Sequence, residues 1–282
     1  MRLLITGSRG QLGSSLTEFQ SDEYEIIGSS RKLEEGSSLI KLDITDLDEV
    51  VGIVSRISPD VVINTAALTN VDHCEDDREL AMLTNAKSAE NVAMACKEIG
   101  AKMVQISTDY VFDGRSGMYN ESYPTSPIQE YGKTKLEGER LAIDVLGSDL
   151  CIVRTSVVFD GASNNFVTWV IDSLKSGSEI SIVQDQWVCP TSTRFLTKSI
   201  LSLVENGFNG IINVSSSDRI SRFEMAQIIA EKCALDYSKI LPISMDDLNW
   251  KARRPRDSSL DISLLGTITE TWNFENMLEK EF

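Results

Sequence analysis

Apolar positions in the first half of the chain recur in two alternating rhythms. Short runs rich in Ile, Leu and Val occur at Arg2–Thr6, Tyr24–Gly28, Leu39–Leu42, Val61–Asn64, Met103–Ser107 and Cys151–Arg154. Their length and β-branched content predict buried strands. Between them, Leu12–Phe19, Leu47–Ile57, Leu80–Ile99 and Tyr131–Val145 carry apolar residues at helical spacing. Asp46 is placed to cap the second of these helices, and Gly100 follows the third where a left-handed residue ends a helix. Regular alternation of strand and helix predicts an α/β fold with a doubly wound, Rossmann-type parallel sheet.

After Arg154 the rhythm changes. Helical patterns at Phe166–Leu174 and Phe195–Val204 are interspersed with strand-like Glu179–Val183 and Gly210–Val214. A turn is expected at Cys189–Thr191, and a further helix from Ser221, which has capping-box spacing to Glu224. With no low-complexity linker between the halves, a smaller lobe is expected to be interleaved with the sheet. The expected division places 1–155 and roughly 177–214 in the dinucleotide-binding domain. Residues 156–176 and 215–282 then form a substrate-binding lobe.

Composition narrows the partners. The formal charge of −16 argues against nucleic acid and anionic membranes, which repel an acidic surface. No apolar run approaches the ~18 residues of a membrane span, and no basic-then-apolar leader precedes the first strand, so a cytoplasmic protein is expected. The five cysteines form no CxxC pair and there is a single histidine, so reduced core thiols and no metal site are expected.

The first turn carries the first chemistry. Gly7, Gly10 and Gly13 in Gly7-Ser8-Arg9-Gly10-Gln11-Leu12-Gly13 lie between the first strand and the first helix. Glycines there let the backbone approach a pyrophosphate, which rests on the helix amides. After the second strand, Ser29-Ser30-Arg31-Lys32 supplies two cations where an NAD-specific domain carries an acid. That suits a 2′-phosphate and predicts NADPH, with NADH left open; a solvated basic loop is the competing reading. Asp43, next to Ile44, is placed either to reach the adenine amino group or to cap the following turn.

Tyr131 and Lys135 are four residues apart at the start of a helix, hence on one face. A cation beside a phenol is expected to lower its pKa, and Tyr131 is the candidate donor of a proton to a carbonyl receiving hydride. Thr108, at the carboxyl end of the fifth strand, is the candidate second donor to the developing oxyanion.

These motifs resemble the extended short-chain dehydrogenase/reductase superfamily and, within it, the dTDP-4-dehydrorhamnose reductase family. The resemblance covers nearly the whole chain. It runs through GSRGQLG, Asn64-Thr65-Ala66-Ala67, STDYVFDG from Ser107 and YGKTKLEGE from Tyr131. It continues with RTS from Arg154, NNF from Asn164, DQW and PT after Asp185, and ARRPRDSSLD from Ala252. It implies Thr108, Tyr131 and Lys135 as the catalytic triad, and Gly7, Gly10, Gln11, Leu12, Asn64, Thr65 and Ala66 along the cofactor. It further implies Asn164, Asn165, Gln184, Arg253 and Arg254 along a nucleotide-sugar substrate. A guanidinium there can hold a diphosphate bidentately, although Arg253-Arg254-Pro255-Arg256 also reads as a solvated loop. Val157 stands where many members carry an aromatic residue, and Val188 where many carry glycine. Ser14 and Ser15 replace a Glu that some members use in a metal-linked dimer.

The resemblance implies reduction of dTDP-4-dehydro-L-rhamnose by NADPH, with a homodimer left open. Alternatives from the same superfamily are a reductase of another nucleotide-linked 4-keto-deoxysugar and a non-catalytic regulatory subunit resembling that of methionine adenosyltransferase. An epimerase or dehydratase that keeps and recycles NAD is a third reading; of the two a dehydratase is disfavoured, because Thr108-Asp109-Tyr110 lacks the second acid.

Overall fold

In the computed structural model, which describes residues 1–282, the alternation becomes a regular winding. Its first half runs β1 (Arg2–Thr6), α1 (Gln11–Thr17), β2 (Glu25–Ser30), β3 (Ile40–Lys41), α2 (Leu47–Ile57) and β4 (Val61–Asn64). It continues through α3 (Val71–Asp76), α4 (Arg78–Met82), α5 (Ser88–Ile99), β5 (Lys102–Thr108), α6 (Glu130–Leu146) and β6 (Leu150–Thr155). The second half runs β7 (Val158–Phe159), α7 (Phe166–Lys175), β8 (Ile180–Val183), β9 (Trp187–Val188), β10 (Thr191–Ser192) and α8 (Thr193–Glu205). It ends with β11 (Gly210–Asn213), β12 (Ile220–Ser221), α9 (Arg222–Lys232), β13 (Ile240–Ile243) and α10 (Phe274–Glu281).

Seven strands form one parallel sheet in the order β3-β2-β1-β4-β5-β6-β11. Each central strand buries both faces, so alternate residues feed different cores. Leu3, Ile5, Ile63 and Val104 join a cluster of 34 residues, while Leu4, Val62, Met103 and Ile152 join one of 17. The larger cluster extends to Phe195, Ile229 and Phe274, so the second half shares the sheet's own core instead of building a separate one.

Within 177–214 the strand pairing divides the segment. β8 pairs with β13 and β9 with β12, away from the central sheet, whereas β11 extends that sheet beside β6. Helix ends follow local chemistry: Asp46 accepts from the Glu49 amide, Gly100 closes α5 in the left-handed region, and Ser221 with Glu224 forms a reciprocal capping box. The single helix expected over Leu80–Ile99 is instead α4 and α5 joined by a π-helical turn at Leu83–Lys87. That turn presents Asn85, whose amide donates to the Leu68 carbonyl and the Thr134 hydroxyl and accepts from the Leu68 amide. Gly138 of α6 lies against the Asn85 carbonyl too closely for any side chain.

One charged pair pins α6 to the sheet. Glu139 accepts from Arg154 Nε at 3.0 Å and Nη2 at 2.7 Å, with both side chains at most 3% exposed. Ser107 also donates to Glu139, and the Arg154 guanidinium lies over the Phe112 ring. Removing one partner strands a buried charge, so Glu139→Ala is expected to lower unfolding stability by ~3–5 kcal/mol. Removing Glu25, whose pair with Arg2 is exposed, is expected to cost under ~1 kcal/mol. Urea unfolding of the two variants checks the contrast.

Candidate active site

The carboxyl ends of β1, β4, β5 and β6 open into one cavity of about 900 Å³. Its floor is the glycine turn. Gly7 has φ +69°, and a side chain there would collide with Ala66, so the turn and the loop after β4 approach as only glycine permits. Gly10 precedes α1 without a side-chain cap, which leaves the first amides of that helix to another acceptor. Gln11 lines the cavity with its buried amide nitrogen unpartnered, and so does Thr155 with its hydroxyl. Buried polar atoms of this kind are expected to find partners, and a dinucleotide fits the donors that line this trough.

Beyond β2, Arg31 lines the cavity without an ion-pair partner, whereas Arg9 is tied to Glu34. Asp43 and Ile44 line it as well. Asp43 Oδ1 accepts from the Thr45 amide and hydroxyl, so this carboxylate does cap its turn while still bordering the cavity. Leu12, Thr65 and Ala66 complete this wall.

Thr108, Tyr131 and Lys135 line the same cavity, with the Thr108 hydroxyl bonded to the Tyr131 phenol. Gly132 lets α6 lie against the Tyr110 carbonyl, where any side chain would collide, and the Tyr110 and Tyr131 rings pack edge to face. Lys135 is 4% exposed and donates to the Ile106 carbonyl at 2.6 Å. Burial pushes its pKa down to about 8, against a smaller upward pull from Glu139. The expectation that a cation lowers the Tyr131 phenol is corrected here. Burial is the largest influence on Tyr131 and raises its pKa, only partly offset by the Thr108 hydroxyl. The phenol therefore stays protonated at neutral pH, the state a proton donor needs.

Two of the site residues expected from the sequence are engaged in the scaffold, and a third lies outside both cavities. Asn64 accepts from Thr6 and donates to Gln105, cross-linking β1, β4 and β5. Asn165 caps α7 through the Val167 and Thr168 amides and donates to the Asp160 and Ser163 carbonyls. Gln184 is exposed and borders neither large cavity, whereas Gln186, two residues on, is buried and donates to the Pro255 carbonyl. Asn164 does line the main cavity, beside Ser163 and Val157. Val157 is held at φ +43°, a region that a β-branched residue rarely adopts. Val188 is fully buried in the β9–β12 pairing and does not border the cavity.

A second cavity of about 760 Å³ lies against the C-terminal segment, with Trp187, Trp250, Arg219, Arg253, Arg254 and Arg256 on its walls. Arg254 is clamped by Asp72, and Arg256 by Asp185 and Asp246, which leaves Arg253 as the unpaired guanidinium of that segment. Arg222 was not singled out in the sequence. It lines the main cavity near Asp109 and Tyr110, its guanidinium 4.9 Å from the Phe166 ring centre and without a carboxylate partner. Its signal was local: an arginine in the first turn of a helix opposes the helix dipole, which favours anions there.

The buried ammonium has a measurable signature. Below pH about 8, Lys135 keeps its proton in the fold at a desolvation cost. Between about 8 and its ordinary 10.5, the folded protein releases that proton before the unfolded chain does, so stability rises with pH. Relative to Lys135→Met, the unfolding free energy of the unmodified protein is expected to rise by on the order of 3 kcal/mol over that window. Paired urea titrations at neutral and alkaline pH check this.

Comparison with known proteins agrees with this geometry. The RmlD substrate binding domain family matches residues 1–280. A Bacillus subtilis spore coat polysaccharide biosynthesis protein, SpsK, is 35% identical over 92% of this chain and 88% of its own. The probable low-salt glycan biosynthesis reductase Agl14 of Haloferax volcanii is 33% identical over 93% of this chain and 90% of its own. A Bacillus anthracis dTDP-4-dehydrorhamnose reductase solved in complex with NADP superposes with a TM-score of 0.93 at 36% identity, covering 100% of this chain and 98% of that one. With its sheet order, its Thr108–Tyr131–Lys135 wall and a match from end to end, this chain belongs to the dTDP-4-dehydrorhamnose reductase family.

Proposed function

We propose that the protein reduces the C4 ketone of dTDP-4-dehydro-L-rhamnose with NADPH, giving dTDP-L-rhamnose. The observation that carries this reading is the convergence of Thr108, Tyr131 and Lys135 on one cavity wall, facing a glycine-floored trough. NADPH, when bound, supplies the hydride. Gly7, Gly10, Gln11 and Leu12 would hold its diphosphate, and the unpaired Arg31 its 2′-phosphate. Tyr131, protonated at neutral pH, gives its proton to the ketone oxygen, and Lys135 anchors that end of the helix and the adjoining ribose. The nucleotide would lie in the second cavity, with Arg253 on the diphosphate and a tryptophan face for the base. No helix is long and apolar enough to cross a membrane. A cytoplasmic homodimer belongs to the same proposal.

A second substrate reading has its own support. Val157 and Arg222 shape the cavity near Asn164 with a small apolar side chain and an unpaired cation. Such a pocket suits another nucleotide-linked 4-keto-deoxysugar, and a Streptomyces niveus relative, 32% identical, is a dTDP-4-keto-6-deoxy-D-glucose reductase. The complete catalytic triad argues against a purely regulatory subunit.

NADPH oxidation in the presence of freshly generated dTDP-4-dehydro-L-rhamnose tests the reading, with product sugars identified by chromatography. Turnover is expected, and Tyr131→Phe is expected to lose roughly 10²–10⁴-fold in kcat with cofactor affinity retained. Faster turnover of a different 4-keto-deoxysugar would move the assignment to the second reading, and binding without oxidation of any would refute both. Arg31→Ala is expected to weaken NADPH about tenfold while sparing NADH, corresponding to one lost charge-assisted contact of roughly 1.5 kcal/mol. Equal loss for both cofactors would show that Arg31 does not read the 2′-phosphate.

A further inference from the structure

Asp109 is sealed directly behind the catalytic hydroxyls, 3% exposed, in the 3-10 turn that follows β5. Its two oxygens are used unequally. Oδ2 accepts from Ser258 Oγ at 2.5 Å and from Ser156 Oγ at 2.8 Å. Oδ1 has a single hydroxyl neighbour, Thr108 Oγ1, at 3.0 Å. No arginine or lysine pairs with this carboxyl. The titratable and charged groups facing it are Tyr110 in the same turn, Tyr131 from α6, Cys189 beside β10 and Arg222 from α9. Burial is the largest influence on the carboxyl and pushes its pKa up, opposed by the three hydroxyls and by Arg222.

Proton counting makes that state consequential. A threonine hydroxyl has one proton. Were Asp109 ionised, Thr108 would spend its proton on Oδ1 and turn only lone pairs toward the cavity. A ketone oxygen, also an acceptor, would find no donor there. With Asp109 neutral and both serine hydroxyls donating to Oδ2, the acid proton belongs on Oδ1. Oδ1–H then donates to Thr108 over the same 3.0 Å, and the Thr108 proton, no longer held by Oδ1, turns to the cavity side, where the Tyr131 hydroxyl and the ketone oxygen it serves are its partners.

We propose that Asp109 works as a neutral carboxylic acid, a positioning residue that turns the Thr108 hydroxyl from an acceptor into a second donor to the carbonyl being reduced. The inference rests on the reductase reading above. No net proton leaves Asp109: Tyr131 supplies the proton that ends on the product alcohol, and the Asp109–Thr108 pair keeps both of its own. Ser258 also ties this acid to the C-terminal segment that carries Arg253, so the substrate-side segment helps hold the donor in place.

Asn at 109 reproduces the neutral acid, donating N–H to Thr108 and accepting both serines, but cannot reproduce a carboxylate. Asp109→Ala is expected to lower kcat on the order of 10²-fold, the loss typical of one oxyanion donor, with the Kd for NADPH unchanged. Asp109→Asn is expected to recover most of that loss. Failure of the asparagine to do better than alanine, with NADPH affinity and circular dichroism intact, would overturn the proposal. Infrared difference spectroscopy of the unmodified protein minus Asp109→Asn at neutral pH needs no substrate. A protonated carboxylic acid band supports the neutral acid, and a carboxylate band in its place overturns it. Should no keto-sugar be turned over, the reductase reading fails by itself, while the infrared measurement still decides the state of Asp109.

Discussion

The cavity wall that carries Thr108, Tyr131 and Lys135 depends on the way one face of α6 is bonded to the end of β5. Tyr131, Lys135 and Glu139 follow each other at intervals of four, so they line one stripe of the helix. Each of the lower two is fastened to the strand beside it, Lys135 to the Ile106 carbonyl, Glu139 to Ser107 and across to Arg154. The next residue of that strand is Thr108. Polar bonds between the same two elements thus set the separation of the hydroxyl and the phenol. Apolar packing alone tolerates small sliding between a helix and a sheet, whereas a buried bidentate pair does not. Such a pair adds little net stability over a well-packed apolar replacement, and its contribution here is geometric. Gly132 and Gly138 then bring α6 against the Tyr110 and Asn85 carbonyls.

The same region concentrates local costs. Lys135 is held where its charge is disfavoured, Asp109 where ionisation is disfavoured, and Val157 at a positive φ that its branched side chain resists. Around these residues the core clusters are continuous and fully apolar, and most helices are capped. Local costs of this kind at a cavity are expected of a site shaped for chemistry.

How far the sequence was readable follows from the range of each interaction. The strands at Arg2–Thr6 and Val61–Asn64, the caps at Asp46 and Ser221, and the Tyr131–Lys135 stripe depend on neighbours within a few residues, and all were legible. The β8–β13 pairing joins residues 60 apart, as at Ile180 and Ile240, through two very short strands, and no local pattern announces it. The π-helical turn at Leu83–Lys87 was hidden for a related reason. Its apolar spacing is helical, and only the distant Leu68 and Thr134 give Asn85 cause to widen the turn. Asn64 and Asn165 show a further limit: a residue can belong to a motif because it holds the motif's backbone, and a sequence pattern does not separate that from contact with a ligand.

Net charge and local field point in opposite directions, and the arginines show why. At −16 overall, the protein would repel a nucleotide sugar and a dinucleotide at long range, but beyond about 8 Å that repulsion is screened at physiological salt. Closer in, what counts is which cations lack a partner. Arg254 and Arg256 are neutralised by Asp72, Asp185 and Asp246, and Arg9 by Glu34. Arg31, Arg222 and Arg253 have no such acid and border the two cavities at three separated points. An anionic ligand that reaches either cavity would meet a guanidinium with no carboxylate bound to it, whatever the net charge of the chain.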